Sequence, residues 1–294
     1  MGPPDTARVV PLWMVLASLD MTSWGVGQIL AKRATDRLGA VTMVLLVSLV
    51  DGVGYLGMYL LFGGPFASPW ETYALAACAA VVGMLGYILY FEAILRGNVS
   101  VVGTISAASP IVTILGAMAF LGERPSPTAA VGIVLLVSMI LLLSYEPLGD
   151  EWRIPVAVVM AVAILFLWGV WALLVKAAVR DAAFTSYHVL AFYTVSNFTL
   201  GPAYFLWRRR RFPPPDPSRR TYGLAIGAIS LLLVGIVATT VALSIGDASL
   251  IAAVSGSYPI VTAVVAFLFL KEKATRSRLL AIALFIPGIV LVAF

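Results

Sequence analysis

Asp20 and Asp51 are carboxylates set inside long apolar runs, where an ionisable side chain costs at least about 2.5–3.5 kcal/mol and so needs a reason. Asp20 shares a helical face with Trp24 and Gln28, at i, i+4 and i+8, and Asp51 shares one with Ser48, Tyr55 and Tyr59. A carboxylate in dry surroundings beside aromatic faces can exchange a proton, or hold an ammonium group with cation–π help from the rings. Asp20 and Asp51 are therefore expected to serve proton or cation coupling. The plainer alternative for each is a buried hydrogen bond that ties helices together. Trp24, Tyr87, Tyr90, Trp168, Trp171 and Tyr258 lie well inside apolar stretches and, with Gln28 and Ser109, are the expected solute contacts. Any single ring could equally be core packing. Trp70, Trp152 and Trp207 fall near the ends of such stretches and read as interfacial anchors.

Such residues need elements to carry them. The chain of 294 residues is 61% hydrophobic and only 11% charged, against about 25% charge in soluble proteins. Its mean hydropathy is +1.02. A soluble fold could not cover so much apolar surface, so the expected class is an all-α polytopic membrane protein. A helix needs roughly 20 residues to cross about 30 Å of hydrocarbon. Charges and turn residues divide the chain into ten stretches of about that length, near 9–31, 39–63, 70–95, 99–121, 127–145, 154–178, 184–206, 222–244, 249–270 and 277–294. The first run lacks a basic leader and reads as a span that stays. Cys78 is the only cysteine and His188 the only histidine. Intrachain disulfides are thereby excluded and neither a metal site nor a cofactor is called for.

The chain also repeats itself. Ser106 to Glu123, "SAASPIVTILGAMAFLGE", and Ser255 to Glu272, "SGSYPIVTAVVAFLFLKE", agree at 9 of 18 positions without a gap, at an offset of 149. "GNVSVV" at Gly97 matches "GDASLI" at Gly246 at the same offset, and "SWGVGQILAK" ending at Lys32 matches "LWGVWALLVK" ending at Lys176. The matched prolines stand five expected spans apart. Five is odd, so the second copy crosses the membrane in the opposite direction. Residues 1–147 and 148–294 are then two inverted five-helix halves, an arrangement that sets a midplane site between halves that rock. Pro110 and Pro259 are expected hinges, since each frees the carbonyl four residues earlier, at Ser106 and Ser255. A static kink for close packing is the alternative.

This pattern of ten spans, with "SPIVT…LGER" after the fourth and "YPIVT…LKEK" after the ninth, resembles the drug/metabolite transporter superfamily, in particular its EamA-type members, over essentially the whole chain. The resemblance implies a secondary transporter, with export of amino acids or related metabolites the commonest case and a cytoplasmic (inner) membrane the expected place. The "WG…K" elements also resemble small multidrug transporters, whose membrane-embedded glutamate stands eight residues before the lysine. Here that position is Trp24, and an acid comes one turn earlier, at Asp20.

Loops after the odd-numbered spans hold 15 of the Lys and Arg residues and the other side four: Arg8, Arg124, Lys176 and Arg180. The positive-inside rule then puts both termini outside the cytoplasm, whereas the resembled transporters are drawn with both inside. Arg208 to Arg211 read as a topology anchor or a site for anionic lipid. Lys32 and Lys176 are expected to snorkel, His188 to lie at the interface, Glu92 to pair with Arg96, and Glu123 and Glu272 to cap or pair locally with Arg124, Lys271 and Lys273. No HExxH or GxSxG motif supports an enzyme. The expected function is proton-linked transport of a small organic solute, with an organic-cation carrier as the alternative and a channel or scaffold less favoured. Its partners are the solute, lipid and a proton rather than nucleic acid, and one chain can act alone.

Overall fold

A computed structural model describes residues 10–96, 99–144, 156–209, 218–270 and 276–293. Every regular element among the described residues is a helix: α1 Leu12–Phe62, α2 Trp70–Arg96, α3 Val99–Ser106, α4 Ser109–Phe120, α5 Pro127–Ser144, α6 Val156–Ala178, α7 Ser186–Arg208, α8 Arg219–Ile245, α9 Ala248–Ser255, α10 Tyr258–Leu270 and α11 Arg276–Ala293. Four of these, α1, α2, α6 and α8, are by length and composition able to cross a membrane. Large apolar side chains such as Leu12, Val53, Phe120, Val134, Val159 and Val195 point outward. The chain is a multi-pass membrane protein, with lipid as the solvent for that surface.

Helix α1 runs through the segment expected to connect the first two spans. Lys32 to Leu38 contain no glycine or proline, and the Lys32 ammonium pairs with Asp36 one turn on, so helix persists. Gly39, at φ 75° and ψ 159°, is the break, a conformation that costs glycine little. Asp20 lies about 28 Å before Gly39 along the helix and Tyr55 about 24 Å after it, at 1.5 Å per residue. Both nevertheless line one cavity. The two limbs of α1 therefore fold back on each other at Gly39.

The stretches expected as spans four and nine are each two helices rather than one kinked helix. α3 ends at Ser106 and α4 begins at Ser109; α9 ends at Ser255 and α10 begins at Tyr258. Pro110 and Pro259 are thus second residues of helices, where a missing N–H leaves no bond unmade.

Two close approaches are built alike. A Cβ on Gly25 would stand 2.5 Å from Val261 Cβ and 3.0 Å from Tyr258 O, and one on Gly169 would stand 2.5 Å from Val112 Cβ and 3.0 Å from Ser109 O. Thr262 Oγ1 donates to Gly25 O at 3.0 Å, and Thr113 Oγ1 donates to Gly169 O at 3.2 Å. So α1 packs on α10 as α6 packs on α4. Two apolar clusters stack along the helices, one holding Ala17, Tyr55, Val175 and Leu243, the other Ala31, Val44, Ile164 and Ile229.

His188 is buried rather than interfacial. Its Nδ1 accepts from the Thr185 amide at 3.0 Å, which leaves Nε2 to donate to Gly64 O at 3.1 Å. It caps α7 and pins the 63–69 connection. Trp70 and Trp207 are exposed, as anchors should be. Arg8, Trp152, Arg153, Arg210, Arg211, Lys271, Glu272 and Lys273 lie outside the described residues, as do the side chains of Arg276 and Arg278.

Candidate functional site

Small residues let the helices come close enough to enclose a cavity. Gly83 and Gly86 of α2 face the indoles of Trp171 and Trp168, and a Cβ on Gly235 of α8 would fall 2.6 Å from both Asp20 Oδ1 and Trp24 Cδ1. Close approach at Gly235 is what brings α8 against the Asp20 carboxyl. The resulting cavity, of about 110 Å³, is several times the roughly 10–15 Å³ that one water needs.

Trp24, Tyr87, Trp168 and Tyr258 form one end of it as a connected aromatic group. Trp24 meets Trp168 at 5.4 Å and Tyr87 and Tyr258 at 6.1 Å each, between ring centroids. Trp171 and Tyr193 form another wall, joined by a 2.6 Å hydrogen bond from Trp171 Nε1 to Tyr193 OH. Asp20 enters between α8 and α9, where Thr239 and Ser255 face its carboxyl. Yet Asp20 Oδ1 and Thr239 Oγ1 are buried without a hydrogen bond, and so are Tyr87 OH and Asn197 Oδ1 elsewhere on the lining. Among the described residues none that lines the cavity is Lys, Arg or His. The first residues of α4 and α10, Ser109 and Tyr258, also line the cavity, so two helix N-termini turn their positive ends toward it.

The cavity therefore collects Asp20, Trp24, Tyr87, Ser109, Pro110, Trp168, Trp171 and Tyr258 from among the residues singled out in the sequence. It leaves out Gln28, Tyr90, Asp51 and Pro259. Gln28 Nε2 donates to Thr262 Oγ1 at 2.6 Å, bracing α1 on α10. Tyr90 packs behind Trp168, 5.5 Å between centroids. Asp51 is buried one turn from the cavity, its Oδ2 accepting a long 3.5 Å bond from the lining Tyr55, with Oδ1 unpaired. Tyr193, Asn197 and Thr239 were missed. They are polar positions inside apolar spans, as Asp20 is, and "YTVSN" and "TT" carried that signal on α7 and α8.

Other polar groups are spent on structure. Glu92 takes the guanidinium of Arg96, as expected, and also Arg208 at 3.3 Å and the hydroxyl of Tyr204, joining α2 to α7. Glu123 pairs far along the chain rather than locally, accepting the amides of Ala248 and Ser249 at 2.8 Å each. Among the described residues no cluster of His, Cys, Asp and Glu is suited to a metal ion.

Comparison with known proteins adds three findings. The model of the EamA-like transporter family matches twice, over residues 11–145 and 155–294. An uncharacterized protein of Methanocaldococcus jannaschii, MJ1333.1, is 26% identical over 131 residues, which are 45% of this chain and 95% of that protein. A crystal structure of a protein superposes over 95% of this chain and 97% of its own, with a TM-score of 0.74 at 18% identity. At that identity the likeness speaks for the fold alone.

Proposed function

The chain belongs to the EamA-like transporter family, and from that premise we propose that it is a secondary transporter, moving a small organic solute with an amino group in exchange for a proton. In this reading the chain crosses the membrane ten times. α1 crosses twice with Gly39 at the turn, α3 with α4 and α9 with α10 cross once per pair, and the remaining six helices cross once each. Residues 1–147 and 148–294 are two inverted halves that expose the cavity to each face in turn. Three observations support this: the two family matches, a relative about as long as one match, and the paired approaches at Gly25 and Gly169.

One observation carries the solute site. Four buried polar atoms without partners gather on a single aromatic-walled cavity. Leaving such a group unpaired costs about 1–3 kcal/mol, and most buried polar groups avoid it. A ligand that brings the missing partners accounts for the cluster. Asp20 takes the solute's ammonium or a proton, one excluding the other, and that competition couples the two flows. The ends of α4 and α10 receive a carboxylate where the solute has one. An amino acid or related metabolite, exported across a prokaryotic inner membrane, is the first candidate. An organic cation is the second, favoured by the lack of any basic side chain among the described lining residues.

Proteoliposomes under an imposed pH gradient test the reading. Asp20→Asn is expected to abolish pH-driven uptake while melting temperature and elution profile stay unchanged. Undiminished coupling in that variant would remove Asp20 from the mechanism. Uptake of an amino acid compared with the amine left on removing its carboxyl group separates the two solutes. Absence of saturable uptake for both ends the proposal.

A further inference from the structure

Asp51 is a second carboxyl, and the solute site does not use it. It is 1% exposed, its Oδ1 has no partner, and its Oδ2 accepts the long 3.5 Å bond from Tyr55. That hydroxyl belongs to a side chain of the cavity wall. The Tyr55 ring lies edge-on to Tyr193, 5.4 Å between centroids, and the Tyr193 hydroxyl is held by Trp171 Nε1. Asp51 thus stands directly behind a braced part of the wall.

Among the described residues no cation faces this carboxyl. Its titratable neighbours are Tyr55 on α1, Tyr87 from α2 and Tyr193 from α7. The titratable side chains of α8, which packs along α1, are Arg219, Arg220 and Tyr222 in its first turn. A buried carboxylate anion with no cation costs several kcal/mol, and a proton removes the charge. Tyr87 is also within electrostatic reach of Asp20, and its hydroxyl is buried without a partner. An ammonium held at Asp20 therefore lies beside a ring that both carboxyls share, where its charge offsets a negative charge on either.

We infer that Asp51 is a second proton site, loaded and emptied through the Tyr55 hydroxyl, and that two protons move for each solute. On loading, a hydronium in the cavity gives a proton to the Tyr55 oxygen and leaves as water, while Tyr55 passes its own proton to Asp51 Oδ2. The carboxylate becomes a neutral carboxyl, the tyrosine is regenerated, and the protein gains one positive charge. Emptying runs the same transfers backward.

The inference rests on the proton-exchange reading of Asp20, but its first test needs no solute. Infrared difference spectra of the protein in liposomes after a downward pH jump read the carbonyl band of each newly protonated carboxyl. Asp51→Asn is expected to remove one such band and Asp20→Asn another. Tyr55→Phe keeps the Asp51 band and slows its rise by roughly 10²-fold, the effect of losing a positioned proton carrier. The second test is the limit of accumulation with the membrane potential clamped at zero. Leucine and choline, which do not cross lipid unaided, are the probes. Two protons per solute allow about 100-fold accumulation per unit of pH gradient, and one proton about tenfold. Asp51→Asn is expected to lower the limit from the first value to the second, whereas Tyr55→Phe slows the approach to an unchanged limit. A purely structural carboxyl would alter the rate alone. An unmoved limit or an unaltered band in Asp51→Asn overturns the inference. So does an unslowed rise in Tyr55→Phe, whether or not Asp51→Asn folds. The expected infrared changes in protein that takes up neither probe would fault the solute site and leave the proton site standing.

Discussion

Thr239 Oγ1 is buried in α8 facing the Asp20 carboxyl, yet makes no hydrogen bond of ordinary length and angle. Natural cores seldom keep such a group, so its removal separates stability from function. Thr239→Val is expected to leave the melting temperature unchanged or raise it, because the desolvation cost disappears. Solute affinity is expected to fall about two- to tenfold, the worth of one ordinary hydrogen bond, as read by thermal-shift titration. A lowered melting temperature with unchanged affinity would make Thr239 a structural residue. Asp20 was legible in the sequence because a carboxylate in an apolar run is conspicuous. Thr239 and Asn197 were not, since Thr and Asn in a span often bond their own helix backbone. Asn197 does so with one end, donating from Nδ2 to Tyr193 O at 2.9 Å, while its Oδ1 stays unpaired.

At the scale of elements, α1 on α10 and α6 on α4 approach through Gly25 and Gly169, each with a valine where a Cβ would go. Gly25→Ala and Gly169→Ala should each cost about 1–3 kcal/mol by overpacking, measured as loss of melting temperature in detergent. Gly57, on the same helix as Gly25, has nothing within 4 Å of a would-be Cβ, and Gly57→Ala should be neutral or stabilising by up to about 1 kcal/mol. Equal loss at all three would refute the packing account. The ends of α1 were legible, but its passage through residues 32–38 was not. Charges read as a loop, yet those residue types favour helix, and the turn falls to Gly39 instead. The prolines marked the places where the chain changes helix. Each begins a helix, so the stretches expected as spans four and nine are divided there, which points helix ends at the cavity.

At the scale of the molecule, the cavity takes residues from both proposed halves, and α1 packs extensively along α8 and α7. Neither half alone can bury those faces. Residues 1–147 and 148–294 produced as separate chains are each expected to aggregate, whereas co-expression should give a complex that co-purifies and elutes as one species. A stable, monodisperse single half would show that the halves are independent domains.

The sequence by itself determined that the chain lives in a membrane, that it is helical, and that it says the same thing twice. Those properties follow from composition and from local periodicity, which solvent and backbone geometry read directly. Only the tertiary structure decided which polar residues share a cavity. Gln28, Tyr90 and Asp51 had the same credentials in sequence as Asp20 and Tyr87, but Gln28 is taken up by Thr262, Tyr90 packs behind Trp168, and Asp51 lies behind Tyr55, one turn from the cavity. Whether a buried polar group is left unpaired depends on helices distant in the chain, here α8 brought against Asp20 by a glycine 215 positions later, at Gly235. No local pattern carries that information.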